Sequence, residues 1–123
     1  MKVNTDTSTK LDIEAKQDDT FNLVMNVKDS DGGLFDFSGY VATMEIKTPD
    51  SRTALGLTSM ASAEDLNEAF IPSTITLSEG KIILLVSSSD MSISKSSYKY
   101  YLKLSNYNSS NTWFVGRFRI TSN

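Results

Sequence analysis

Along most of the chain, apolar residues recur at every second position, the spacing that puts them on one face of a pleated strand. Leu11, Ile13 and Ala15 alternate with Asp12, Glu14 and Lys16. Phe21, Leu23, Met25 and Val27 alternate with Asn22, Val24, Asn26 and Lys28. The pattern returns in Tyr40, Ala42, Met44 and Ile46, and again in Tyr98, Tyr100, Leu102 and Leu104. Ile82-Ile83-Leu84-Leu85-Val86 is apolar on both faces and so belongs in a sheet interior. Strand-breaking clusters punctuate these runs. Asp29-Ser30-Asp31-Gly32-Gly33 and Pro49-Asp50 each end a strand, and Ser78-Glu79-Gly80 links runs at 74–77 and 81–87 as a tight hairpin. Residues 51–60 read as irregular, with at most a short edge strand. Residues 106–111 read as a polar loop and 113–121 as a returning strand.

One segment departs from this period. Ser62-Ala63-Glu64-Asp65 resembles a capping-box start, Leu66, Ala69 and Phe70 sit at helical spacing, and Pro72 stops continuation, which predicts a short helix near 63–70. About eight short strands without strand–helix–strand alternation predict an all-β fold, an Ig-like antiparallel β-sandwich. Residues 1–10 are polar and read as a flexible N-terminal arm. Residues 11–123 read as a single β-sandwich domain, the size expected for one core.

Composition narrows the chemistry. The 123 residues contain no histidine and no cysteine, which removes thiol nucleophiles, Ser-His-Asp triads and metal sites built on imidazole or thiolate. Ser, Thr and Asn make up 39 of the 123 residues, types that favour turns and hydroxyl-lined strand faces. A net charge of -3 argues against the broad positive field of a nucleic-acid binder. The longest apolar run has five residues, too short for a membrane span. No cofactor is expected, and no enzyme.

Asp29, Asp31 and Asp36 are weak metal candidates, because alternate carboxylates in a Gly-bent loop can converge on a hard cation. The spacing fails the EF-hand test: Gly33 and Leu34 occupy the fifth and sixth positions, and no Glu stands at the twelfth. An ordinary turn is the better reading. Glu64, Asp65 and Glu68 are paired carboxylates, but acids in the first turn of a short capped helix are explained by the helix dipole. The last two strands are more informative. With Tyr98, Tyr100, Leu102, Leu104, Phe114, Phe118 and Ile120 turned inward, Lys99, Tyr101, Lys103, Trp113, Arg117 and Arg119 share an outer face. Aromatic residues and arginines grouped on adjacent strands point to a partner-binding surface. A bulge at Gly116 would reverse the facing of half the strand.

The order of these motifs resembles a small virion domain of tailed bacteriophages. Asp36-Phe37-Ser38-Gly39-Tyr40 leading into Ala42-Thr43-Met44-Glu45-Ile46-Lys47 is similar to that family's Asp-Leu-Thr-Gly-Tyr and the strand after it. Gly80-Lys81-Ile82 resembles its hairpin, 97–104 its Tyr-rich strand, and 115–120 its closing strand. Lys103 stands where the pattern has Asp, and Ser97 where it has Gly. The resemblance spans about residues 11–120 and is to the N-terminal domain of baseplate upper proteins and to head-fibre and decoration proteins. It implies a non-enzymatic adaptor in a phage particle, docked to other virion proteins, assembled in the host cytoplasm and forming a homo-oligomer. The charge balance and the short apolar runs argue against a nucleic-acid or membrane partner. The alternative reading is a carbohydrate-binding module in which Trp113 and Tyr101 form a flat platform for sugar rings.

Overall fold

A computed structural model describes residues 9–61 and 70–122. These residues contain ten strands and no helix: β1 (Thr9–Lys10), β2 (Ile13–Lys16), β3 (Phe21–Asn26), β4 (Val41–Lys47), β5 (Thr53–Thr58), β6 (Phe70–Ile71), β7 (Ile75–Ser78), β8 (Lys81–Val86), β9 (Ser96–Ser105) and β10 (Ser110–Thr121). They form two sheets in a sandwich-like arrangement, neither closed into a barrel. The larger sheet runs β1-β10-β9-β4-β5-β6, with β2 also on β10, and the smaller runs β3-β8-β7. The helix expected near 63–70 falls on residues outside those described, except that Phe70 is in a strand. Of the expected arm, Thr9–Lys10 form β1, and residues 1–8 lie outside the described residues.

The sheets are mixed, which corrects the expectation of a purely antiparallel sandwich. β1 and β2 lie parallel to β10, and β6 lies parallel to β5. A parallel neighbour needs a long return rather than a hairpin. The chain between β5 and β6, and the whole domain between β2 and β10, provide that length. Residues 51–60 are also more regular than expected, since β5 is a six-residue strand that buries Leu55 and Leu57 against β4.

The alternation defines the core. Ala42, Met44 and Ile46 of β4, Tyr98, Tyr100, Leu102 and Leu104 of β9, and Ile82, Leu84 and Val86 of β8 are all buried in one continuous cluster. β8 is the central strand of the small sheet, but its outer face is open, with Leu85 53% exposed. The β7–β8 link is tighter than expected. Ser78 pairs with Lys81 across a two-residue turn.

The N-terminal strands are held against β10 by a local device. Between β1 and β2 the chain steps aside at Leu11 and Asp12, and the ladder is patched by Leu11 N–H donating to the Val115 carbonyl at 2.9 Å. The Arg117 N–H donates to Asp12 Oδ1 at 2.9 Å. From inside, the Tyr100 hydroxyl donates to the Leu11 carbonyl. The step is possible because residue 116 has no side chain: a Cβ there would lie 2.2 Å from the Leu11 carbonyl oxygen. Gly116→Ala is expected to cost about 1–3 kcal/mol as an overpacking change with backbone on the far side. Thermal denaturation measures it.

Burial, and secondarily the charge of Asp12, pushes the Tyr100 hydroxyl above its ordinary value of 10.0. Burial also raises that of Tyr98. Because the unfolded chain releases these protons first, the stability contributed by the neutral phenols is complete below about pH 10 and is lost progressively as pH rises above it toward the higher folded-state values. Tyr100→Phe should lose about 0.5–1.5 kcal/mol at neutral pH with its hydrogen bond. Its unfolding free energy should then fall less steeply than the parent's in a denaturant titration carried above pH 10.

Candidate functional site on the outer face of the large sheet

Register assembles the outer face from β1, β2, β4, β9 and β10. Tyr101 of β9 lies between Val115 of β10 and Glu45 of β4. In the adjacent row, Lys99 lies between Arg117 and Lys47. Lys103 stands opposite Thr43 and Thr112, and Arg119 opposite Ser97. Lys99, Tyr101, Lys103, Arg117 and Arg119 are all exposed, so the structure brings five of the six expected residues onto one surface. Lys10 of β1, paired with Val115, extends the surface to the sheet edge.

Trp113 does not join them, and this corrects the sequence reading. Thr112 pairs with Lys103 and Phe114 with Leu102, so Trp113 is the extra residue of a β-bulge. The irregularity sits there and not at Gly116, which pairs in register with Tyr100. The bulge lets both Trp113 and Phe114 turn inward, where they are 1% and 0% exposed. The indole meets Phe35 edge-on at 4.9 Å, and Phe37 and Tyr40 at 5.9 Å each. The loop before β4 delivers those rings: Asp36 Oδ1 accepts the Ser38 N–H at 2.9 Å, and Tyr40 N–H donates to the Phe37 carbonyl at 3.0 Å. The hydrogen bonds from Ser38 hold the Asp36 carboxyl below its usual range. The stretch 35–40 is thus an aromatic clamp on Trp113.

The remaining metal candidates serve turns as well. Asp29 Oδ1 accepts the N–H groups of Asp31 at 3.0 Å and Gly33 at 2.9 Å. Among the described residues, no three of Asp, Glu, His or Cys are grouped as a ligand set. Glu64, Asp65 and Glu68 lie outside the described residues.

Cations outnumber carboxylates on the face, where Glu14 lies opposite Arg119 and Asp12 beside Arg117. A row of three cations, Lys47, Lys99 and Arg117, crosses adjacent strands, an arrangement in which like charges repel. Lys47 is partly compensated by Glu45 Oε2 at 3.7 Å and by the Tyr101 ring, whose centroid lies 5.8 Å from Nζ. Glu45 is itself engaged by the Thr53 hydroxyl at 3.0 Å. Lys99, Lys103, Arg117 and Arg119 form no ion pair among the described residues. An open concavity of about 560 Å³ lies on this surface, bordered by Lys10, Asp12, Pro49, Lys99, Tyr101 and Arg117. With Lys16, opposite Thr121, seven of the chain's twelve cations therefore share one face of a protein with net charge -3.

Lys10 and Lys47 were absent from the sequence-derived set. The outward facing of Lys47 is readable from its alternation, but its place beside Lys99 depends on β4 pairing with β9, for which one sequence carries no signal. No protein-family model matches the chain, and no curated protein matches it closely.

The facing of Trp113 is directly measurable, since it is the chain's single tryptophan. Its emission should be that of a buried indole, resistant to iodide quenching. Trp113→Ala should cost about 3–5 kcal/mol, against less than about 1 kcal/mol for the exposed Tyr101→Ala.

Proposed function

We propose that this chain is a non-enzymatic structural adaptor of a tailed-bacteriophage particle, a virion component that docks an acidic surface of another virion protein on the outer face of its large sheet. The observation that carries the docking surface is the cation-rich group Lys99, Lys103, Arg117 and Arg119, which with Lys47 and Lys10 outnumbers the carboxylates of Asp12, Glu14 and Glu45 beside it. Such a group is costly in a free protein and favourable against carboxylates. The ordered resemblance of residues 11–120 to phage virion domains supports the setting. A net charge of -3 favours an acidic protein surface over nucleic acid as the counterpart. No helix among the described residues is long and apolar enough to cross a membrane.

An Ig-like classification fits the same reading. The strand order β3-β8-β7 in one sheet and β10-β9-β4-β5 in the other supports it, being similar to variable-type Ig sheets with one strand fewer in the smaller. The Tyr98 hydroxyl donates to the Ser94 carbonyl at 2.6 Å, four residues upstream at the start of β9. That is the position and hydrogen bond of a tyrosine corner. The sugar-platform alternative would rest on Tyr101 alone, because Trp113 is in the core.

Particles produced from the genome that encodes the chain test this reading. Mass spectrometry of purified particles should find the chain at a fixed stoichiometry. The triple variant Lys99→Glu, Lys103→Glu, Arg117→Glu should be incorporated roughly tenfold less, as like charges replace complementary ones. Particles lacking the chain, or incorporating the folded triple variant in full, would contradict the proposal.

A further inference from the structure

A different surface, on the small sheet, carries an inference about self-association. Among the described residues, β3 pairs on one side with β8 and ends the small sheet on the other. Its neighbour Val27 donates its N–H to the Gly80 carbonyl at 2.8 Å, toward the β8 side. By alternation Phe21, Leu23 and Met25 also bond toward β8. Asn22, Val24 and Asn26 therefore aim their N–H and C=O groups away from the sheet, and all three residues are exposed.

Exposed edges are ordinarily protected by charge, proline or brevity. β3 has none of these: Phe21-Asn22-Leu23-Val24-Met25-Asn26 is six residues long, uncharged and free of proline. The other edges differ. β2 presents Glu14 and Lys16, β6 has two residues and β7 four. Beside the β3 edge the outer face is also apolar: Val24 is 46% exposed, its cross-strand neighbour Ile83 is half-buried, and Leu85, opposite Asn22, is 53% exposed. A concavity of about 380 Å³ bordered by residues 11–16 and 19–23 adjoins the N-terminal half of β3.

We infer that β3 is a homodimerisation edge, pairing antiparallel with β3 of a second copy about a two-fold axis through Val24. The sequence is self-complementary in that register. Val24 faces Val24 of the other copy, Asn22 faces Asn26, and Lys28 falls opposite Thr20, next to Asp19. No like charges meet along the strand. The small sheets join into one six-stranded sheet, and the outward N–H and C=O groups of Asn22, Val24 and Asn26 on each copy are all satisfied.

Sedimentation velocity across a dilution series tests this with the purified full chain. The parent should show a dimer that dissociates on dilution. Val24→Lys places two cations on the axis and should abolish the dimer. Val24→Pro removes only an outward N–H, leaves the β8 ladder intact and should do the same. Circular dichroism verifies that each variant is folded, and whichever variant folds decides the matter. Lys99→Glu with Arg117→Glu, on the docking face, should leave the dimer unchanged, so this result stands apart from that of the particle experiment. A parent that is monomeric at every concentration, or a dimer that persists in a folded Val24 variant, would overturn the inference. So would a dimer lost only with the docking-face charges.

Discussion

The structure depends on β10 being paired along both of its edges. One edge is zipped antiparallel to β9 over ten residues, and the other carries β1 and β2 in succession. Everything that shapes the outer face follows from how β10 meets these two demands. On the β9 side it spends one extra residue at Trp113, which moves the indole inward while keeping Arg117 and Arg119 outward. On the other side it gives up a side chain at 116 so that Leu11 and Asp12 can pass. The first concession closes the core at one end, where Trp113 is clamped by Phe35, Phe37 and Tyr40. The second ties the N-terminal strands to the centre of the fold through Tyr100.

How far the sequence carried is explained by the same features. β3, β4 and β9 were legible because each combines a period-two pattern with a strong turn signal, and burial there follows the alternation. β8 was legible from its apolar run and the turn before it, although that run predicts burial on both faces and its outer face is open. β5 was not, because Gly56 interrupts a run in which only Leu55 and Leu57 mark the buried face. The parallel strands were hidden because direction is settled by where the chain returns, not by local pattern. The bulge was anticipated on β10, but Gly116 drew attention to the wrong residue. A bulge is a mismatch between two strands, and here its position is set by the register of β10 on β9. Of the candidate surface, the five exposed residues follow from parity alone, while Trp113 fell on the wrong side of one inserted residue. The aspartates of the loop at 29–36 read as turn formers before ligands, because their spacing fails the EF-hand pattern, and the hydrogen bonds of Asp29 and Asp36 fit the turn role.

The proposed biology is a division of labour between two sheets. The large sheet presents cations held apart by β-register, with Glu45 as a partial counter-charge. That surface suits recognition of an acidic neighbour and is sensitive to salt. The small sheet presents an uncharged edge, suited to backbone pairing and indifferent to salt. A protein with one of each can join copies to one another and attach the pair to a larger assembly, where repetition strengthens weak contacts.

The central claim is that the face carrying Lys99, Lys103, Arg117 and Arg119 is the one that docks. A cryo-electron microscopy map of the assembled particle at side-chain detail tests it most directly. The account predicts density for this chain with those four cations against carboxylates of a neighbouring protein. A map showing the chain attached by another surface, with this face open to solvent, would contradict it.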